Sequence, residues 1–263
     1  MTVLTIAHNT FRENIRDKIL YNLVLFALLM ILSSVALGQL SLGHEAKVII
    51  DLGLSSISIF GTLIAIFIGI SLVYKELEKR TVYSLLAKPI HRWEFIVGKY
   101  LGLLFTITVN VVIMTAGLML TLLYHGGVGF QTYLRLLPAV YLTLLSLVLT
   151  TALALVFSTF STPALSALFT FFLWVSGHFN PDLLEFGNMA KSQSLKLLTR
   201  VFYYIVPNVS DFKIVGSVNV IQSAAYSQPI PTGAVAWATV YGLVYSGVLL
   251  IIAILIFSRR DFK

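Results

Sequence analysis

The chain contains no cysteine. That excludes disulfides, thiolate metal sites and cysteine nucleophiles together. Charge is scarce too. Asp, Glu, Lys and Arg make up 11% of the residues, where a soluble domain carries about 25%. With 58% hydrophobic residues in a length of 263 and a mean hydropathy of +0.91, such a chain cannot bury its apolar surface in a water-soluble globule. No polar segment is long enough to build a separate soluble domain. The net charge of +7 needs no nucleic acid to explain it, because basic residues collect at the cytoplasmic ends of membrane spans and face anionic lipid.

What the chain has in abundance is long apolar runs. A helix that crosses ~30 Å of hydrocarbon needs about 20 residues at 1.5 Å each. Six runs qualify: Ile19–Gly38, Leu52–Tyr74, Tyr100–Tyr124, Leu136–Phe157, Pro163–Phe179 and Ala234–Phe257. The fifth is the shortest. Barrel strands would alternate apolar and polar residues, so continuous runs mean helices. The expected fold is an all-α polytopic membrane protein, with residues 1–263 forming one domain of six transmembrane helices.

Orientation follows from Lys and Arg. With the N-terminus in the cytoplasm, the inside segments carry Arg12, Arg16, Lys18, Lys75, Lys79, Arg80, Lys88, Arg92, Lys99, Arg259, Arg260 and Lys263. The outside segments carry only Lys47, Arg135, Lys191, Lys196, Arg200 and Lys213. The excess on the inner side favours both termini in the cytoplasm.

Residues 1–18 precede the first span. Leu4, Ala7, Phe11, Ile15 and Ile19 recur at helical spacing, with His8, Asn9, Arg12, Glu13 and Arg16 on the other side. The pattern predicts an amphipathic helix in the cytoplasmic interface. It does not suit a signal peptide, whose basic region is shorter and whose apolar run does not span. Gly98 and Gly102 open the third span in a small-xxx-small pattern that permits close helix approach.

No Asp, Glu, Lys or Arg lies deep in any run. Ion-coupled pumps place such groups inside the membrane to relay charge, so an ion-driven mechanism is disfavoured. Thr106, Asn110 and Thr150 are candidates to line a pathway. Such hydroxyls and amides also bond the carbonyls of their own or neighbouring helices. The segment 180–233 is the largest polar one and falls outside. Within it, Leu195, Leu198, Phe202 and Ile205 make a helical stripe ending at Pro207-Asn208. Short helices that dip back toward the bundle are expected there.

One stretch breaks the pattern. Tyr74 to Gly98 holds three of the eleven acidic and five of the eighteen basic residues. The second span runs without Gly or Pro into Lys75-Glu76-Leu77-Glu78-Lys79-Arg80, so its helix should continue past the membrane. Pro89 stops it and pushes Lys88 out of the α region. His91 to Ile96 reads as a second, short amphipathic piece. Positive-inside bias explains the basic residues. It does not explain why Leu85, Leu86 and Trp93 share a polar connection with paired carboxylates. A short helix with an apolar face and charged flanks fits a partner's groove.

The pattern Glu76-x-Glu78-x-x-Thr81-x-x-x-Leu85-Leu86-x-x-Pro89-x-x-Arg92-x-x-x-x-x-Gly98-Lys99 resembles the signature of ATP-binding-cassette (ABC) transporter permeases of the type-2 export class. Many members have Gly where Lys79 or Arg80 stands, so the resemblance is to one subgroup. It extends over the whole chain: an interfacial helix at 1–18, six spans, the connection 75–98 and the external loop 180–233. Pro207-Asn208 is also similar to the family's pattern. The resemblance implies a bacterial or archaeal cytoplasmic membrane and a pair of permease subunits, as a homodimer or a heterodimer. Two ATPase subunits would sit beneath them, binding ATP and Mg. The connection would act as a coupling helix, with Glu76, Glu78, Thr81, Leu85, Leu86, Pro89 and Arg92 as its surface. This chain would bind no cofactor of its own and would not be an enzyme.

The residues agree with that division of labour. No G-x-x-x-x-G-K-[ST] is present to cradle phosphates. An intramembrane serine protease is a poor rival, since Ser176 and His178 are too close in sequence to form a pair that must come from separate elements. The five histidines are scattered over both sides. A second rival keeps the fold but not the transport: a membrane subunit that relays ATPase work to an envelope partner.

Overall fold

The computed structural model describes residues 2–40, 45–78, 91–126, 129–189, 192–209, 212 and 232–259. Among them it is all helix, without strands. The helices are α1 (Thr2–Ile15), α2 (Lys18–Gln39), α3 (Glu45–Glu78), α4 (Arg92–His125), α5 (Phe130–Phe160), α6 (Pro163–His178), α7 (Asn180–Met189), α8 (Gln193–Ile205) and α9 (Thr232–Arg259).

Five of these, α2, α3, α4, α5 and α9, are long and apolar enough to cross a membrane. The fifth expected span is α6, with 16 residues, about 24 Å at 1.5 Å per residue. That is short of the ~30 Å hydrocarbon thickness. Its start is as read: Thr162 is extended at φ −72° and ψ 158°, and Pro163 takes the first helical position, where its missing N–H costs nothing.

Two helices form the centre. Of the apolar stretches, 67% of the residues are buried in α3 and in α5, against 28% in α2 and in α9. α3 packs on α2, α4, α5 and α6, while α9 lies along α5 and touches α4. The core runs through Ile57 and Ile64 of α3, Leu103, Ile107, Met114 and Leu118 of α4, and Leu142 and Leu149 of α5. Outward residues such as Leu25, Leu29 and Leu32 of α2 and Val244 and Ile251 of α9 stay exposed. An exposed apolar belt around a buried core is what a bundle solvated by lipid requires.

Three helix starts differ from the sequence reading, those of α3, α4 and α5, the last beginning at Phe130, six residues before its expected span. α3 begins at Glu45, seven residues before the expected span. α4 begins at Arg92, so His91–Ile96 is not a separate amphipathic piece but the first turns of a helix 34 residues long. The cause is local. His91 is extended, and its N–H donates to Glu94 Oε2 at 3.0 Å, the carboxylate half of a capping box. No proline follows to interrupt the helix.

Candidate coupling site at the start of α4

The first four turns of α4 gather α1 and the end of α9. On one stripe lies α1. The Thr2 hydroxyl donates to Glu94 Oε1 at 2.6 Å, and Asn14 Nδ2 donates to Thr106 Oγ1 at 3.1 Å. Both pairs are 92 residues apart, so α1 runs parallel to α4 in constant register along its whole length. Glu13 reaches the Lys99 ammonium at 3.7 Å. Phe11 meets Phe105 edge-on at 4.4 Å.

The two glycines set the separation. A Cβ on Gly98 would stand 2.8 Å from Ile6 Cβ, and one on Gly102 would stand 2.6 Å from the Ala7 carbonyl oxygen. The small-xxx-small pattern is therefore the seat of α1. The face that docks is Ile6, Ala7, Thr10 and Asn14, with Thr10 and Asn14 buried. Leu4 of the expected apolar stripe is 73% exposed. Ala7 and Phe11 of that stripe do face α4, so the packing side joins part of the apolar stripe to the polar Thr10 and Asn14 beside it.

On the neighbouring stripe of α4 lies the end of α9. Arg92 Nη1 donates to the Ser258 carbonyl at 2.7 Å and to that of Phe257 at 3.3 Å. These are among the carbonyls that a helix end leaves without an intrahelical partner, and a cation there complements the negative end of the helix dipole. One turn on, Phe95 stacks on Phe257 at 5.7 Å between centroids, tilted by only 17°. Lys99, 4% exposed, sits between the two stripes, 5.6 Å from the Phe95 ring. The start of α1 and the end of α9 are thereby at the same end of the bundle.

Of the residues the sequence singled out, Arg92 is in this cluster. Glu76 and Glu78 belong to the last turn of α3, and their side chains lie outside the described residues, as do Thr81, Leu85, Leu86 and Pro89. Thr106, Asn110 and Thr150 are all buried inside the bundle. Thr106 Oγ1 donates to the Gly102 carbonyl at 2.9 Å, Asn110 Nδ2 to that of Thr106 at 2.7 Å, and Thr150 Oγ1 to that of Ser146 at 2.8 Å. Tyr100, earlier on α4, joins it to α5 by donating to the Val148 carbonyl at 3.2 Å. Sequence reasoning missed Thr2, Asn14, Phe257 and Ser258. The glycine pair was the one signal that a helix must come close here.

A second polar node lies between α6 and α9. Asn180 is fully buried, and its Nδ2 donates to the carbonyls of Tyr203 and Val206 at 3.2 Å each, capping the end of α8. A Cβ on Gly177 would stand 2.5 Å from the Pro207 oxygen. The Asn208 N–H donates to the Tyr241 hydroxyl at 2.9 Å, and Phe212 packs over Gly242. Val206, Pro207, Asn208 and Val209 are buried, wedged between α6 and α9. α8 itself stays largely uncovered, bordered by open grooves of about 650 and 670 Å³.

This architecture defines a polytopic helical membrane protein with its first and last described helices tied together at one end. The profile of the ABC-2 family transporter proteins matches residues 4–262, and the chain belongs to that family. It is similar to a protein of Stutzerimonas stutzeri described as a probable ABC transporter permease protein NosY. The two are 28% identical over 283 aligned positions, which cover 98% of this chain and 98% of the relative.

Proposed function

We propose that this chain is the permease subunit of an ATP-binding-cassette exporter, moving a substrate outward with ATP hydrolysed by a separate cytoplasmic subunit. The family match over 4–262, together with the charged connection that follows α3, carries this reading. α3 continues to Glu78, past the end of the apolar run at Tyr74, so its last turn projects from the membrane toward a partner. Glu76, Glu78, Thr81, Leu85, Leu86 and Pro89 form the surface on which the ATPase sits, and Arg92 borders it on the side of the bundle. A second permease subunit completes the assembly. Both termini lie on the cytoplasmic side of a bacterial or archaeal inner membrane.

The test is co-expression with an ATPase subunit encoded beside this chain. The two should co-purify, and the ATPase rate should respond to the permease in lipid nanodiscs. Replacing Glu76 and Glu78 together by Lys should weaken the complex about ten-fold or more, since like charges facing each other across an interface cost several kcal/mol, while membrane insertion stays intact. A chain that carries full transport with no ATPase bound would sink the reading.

One observation favours a second reading, in which the same machinery drives an envelope partner instead of a solute. The apolar side of α8 is open, with Leu197 67% and Leu198 60% exposed. Reconstituted vesicles separate the two, because a relay subunit hydrolyses ATP without moving solute.

A further inference from the structure

The start of α4 holds two helices that are distant in sequence, and each by a contact that resists sliding. α1 is seated by backbone approach at Gly98 and Gly102, where translation by a fraction of a turn brings a side chain against a carbonyl. The end of α9 is held by a charged group on its terminal carbonyls and by a nearly parallel ring stack. We propose that the first four turns of α4 clamp α1 and the end of α9 into one body. Arg92 is the positioning residue that joins α9 to it. This rests on the reading above, in which the ATPase acts on the connection that precedes α4. It adds where that action goes. A displacement at the start of α4 reaches α1 and α9 together, and through α9 it reaches α5, along which α9 packs.

The guanidinium suits this role. One nitrogen donates to both carbonyls. A Lys ammonium at the same place keeps the charge but lacks the rigid fork.

The absence of cysteine allows clean spin labelling of the full chain. Leu4→Cys on α1 and Leu255→Cys on α9 are placed at exposed positions, and the distance between them is measured by pulsed electron resonance in phosphatidylethanolamine–phosphatidylglycerol nanodiscs. The native background should give one narrow peak. Arg92→Ala should lose it in favour of a broad distribution, and Arg92→Lys should recover part of it. Phe95→Leu stays apolar but removes the ring stack and should broaden the peak less, which decides the matter if Arg92→Ala does not fold. A peak that stays narrow in both Arg92→Ala and Phe95→Leu overturns the clamp. These distances are read on the chain alone, so a missing ATPase partner, which would defeat the proposed function, leaves them valid.

In the complex, exposed Leu168 on α6 serves as the reference label. Trapping with ADP–vanadate should change the Leu4–Leu168 and Leu255–Leu168 distances together. In Arg92→Ala the change should be confined to the Leu4 pair. Native pairs that move independently, or not at all, overturn the transmission.

Discussion

Asn14 Nδ2 donates to the Thr106 hydroxyl at 3.1 Å, and that hydroxyl in turn donates to the Gly102 carbonyl at 2.9 Å. A polar relay therefore crosses from α1 into α4 at a point where both partners are buried. It exists because Gly102 has no side chain. With a Cβ there, the Ala7 carbonyl would be 2.6 Å away, α1 would lift, and Asn14 would lose its partner. Hydrogen bonding and close approach support each other, as in helix pairs within lipid, where apolar area alone gives little drive to associate.

Gly102 is accordingly the sharpest test of how α1 is held. Gly102→Leu should cost about 1–3 kcal/mol, the usual range for overpacking a closed contact. Thermal unfolding in detergent should come at lower temperature, and limited proteolysis should release α1 first. Gly129→Leu is the control, because nothing lies within 4 Å of a Cβ at that position. Equal melting of the Gly102 variant and the native chain would mean that α1 is seated elsewhere.

Asn180 makes a second test at the other polar node. Its amide caps two carbonyls at the end of α8. Asn180→Ala leaves both without that donor, and each buried group left unmade costs about 1–3 kcal/mol. Asn180→Asp should be worse, since it removes the donors and sets a buried charge against carbonyl oxygens. Hydrogen exchange across Gln193–Ile205 should rise in the order native, Ala, Asp. An unchanged rate in the Asp variant would show that Asn180 does not hold α8.

Orientation is open to a direct measurement. Leu4→Cys, Arg259→Cys and Met189→Cys each place a single thiol at an exposed site in a chain otherwise free of cysteine. In intact cells, an impermeant maleimide should label Met189→Cys only. The other two should react after permeabilisation. The reverse pattern would overturn the orientation drawn from the basic residues.

Much of the bundle was legible in the sequence because hydrophobic transfer is additive along the chain. A run of about 20 apolar residues is a helix in lipid whatever surrounds it, and α2 and α9 fall within two residues of their expected ends. The starts of α3, α4 and α5 were not legible. Residues 45–51 and 92–99 mix charged and apolar side chains, and the helix continues through them for reasons that run length does not capture. At α4 the reason is the Glu94 cap on His91 together with the partners Thr2, Glu13 and Phe257. The short α6 was flagged by its length alone.

A helical membrane protein with one charged connection is written in the chain's composition and run lengths, and the family's motif stands in Glu76 to Lys99. Composition, run length and spacing are local quantities, and a linear chain displays them in full. It took the packed bundle to reveal that Arg92 closes the end of α9, that Gly98 and Gly102 seat α1, and that α1 and the end of α9 meet on the first turns of α4. Those facts depend on which helices become neighbours. Pairs such as Arg92 with Ser258, 166 positions apart, leave no periodic trace in the sequence, because a hydrogen bond to a backbone carbonyl places no demand on the side chain of the residue that offers it.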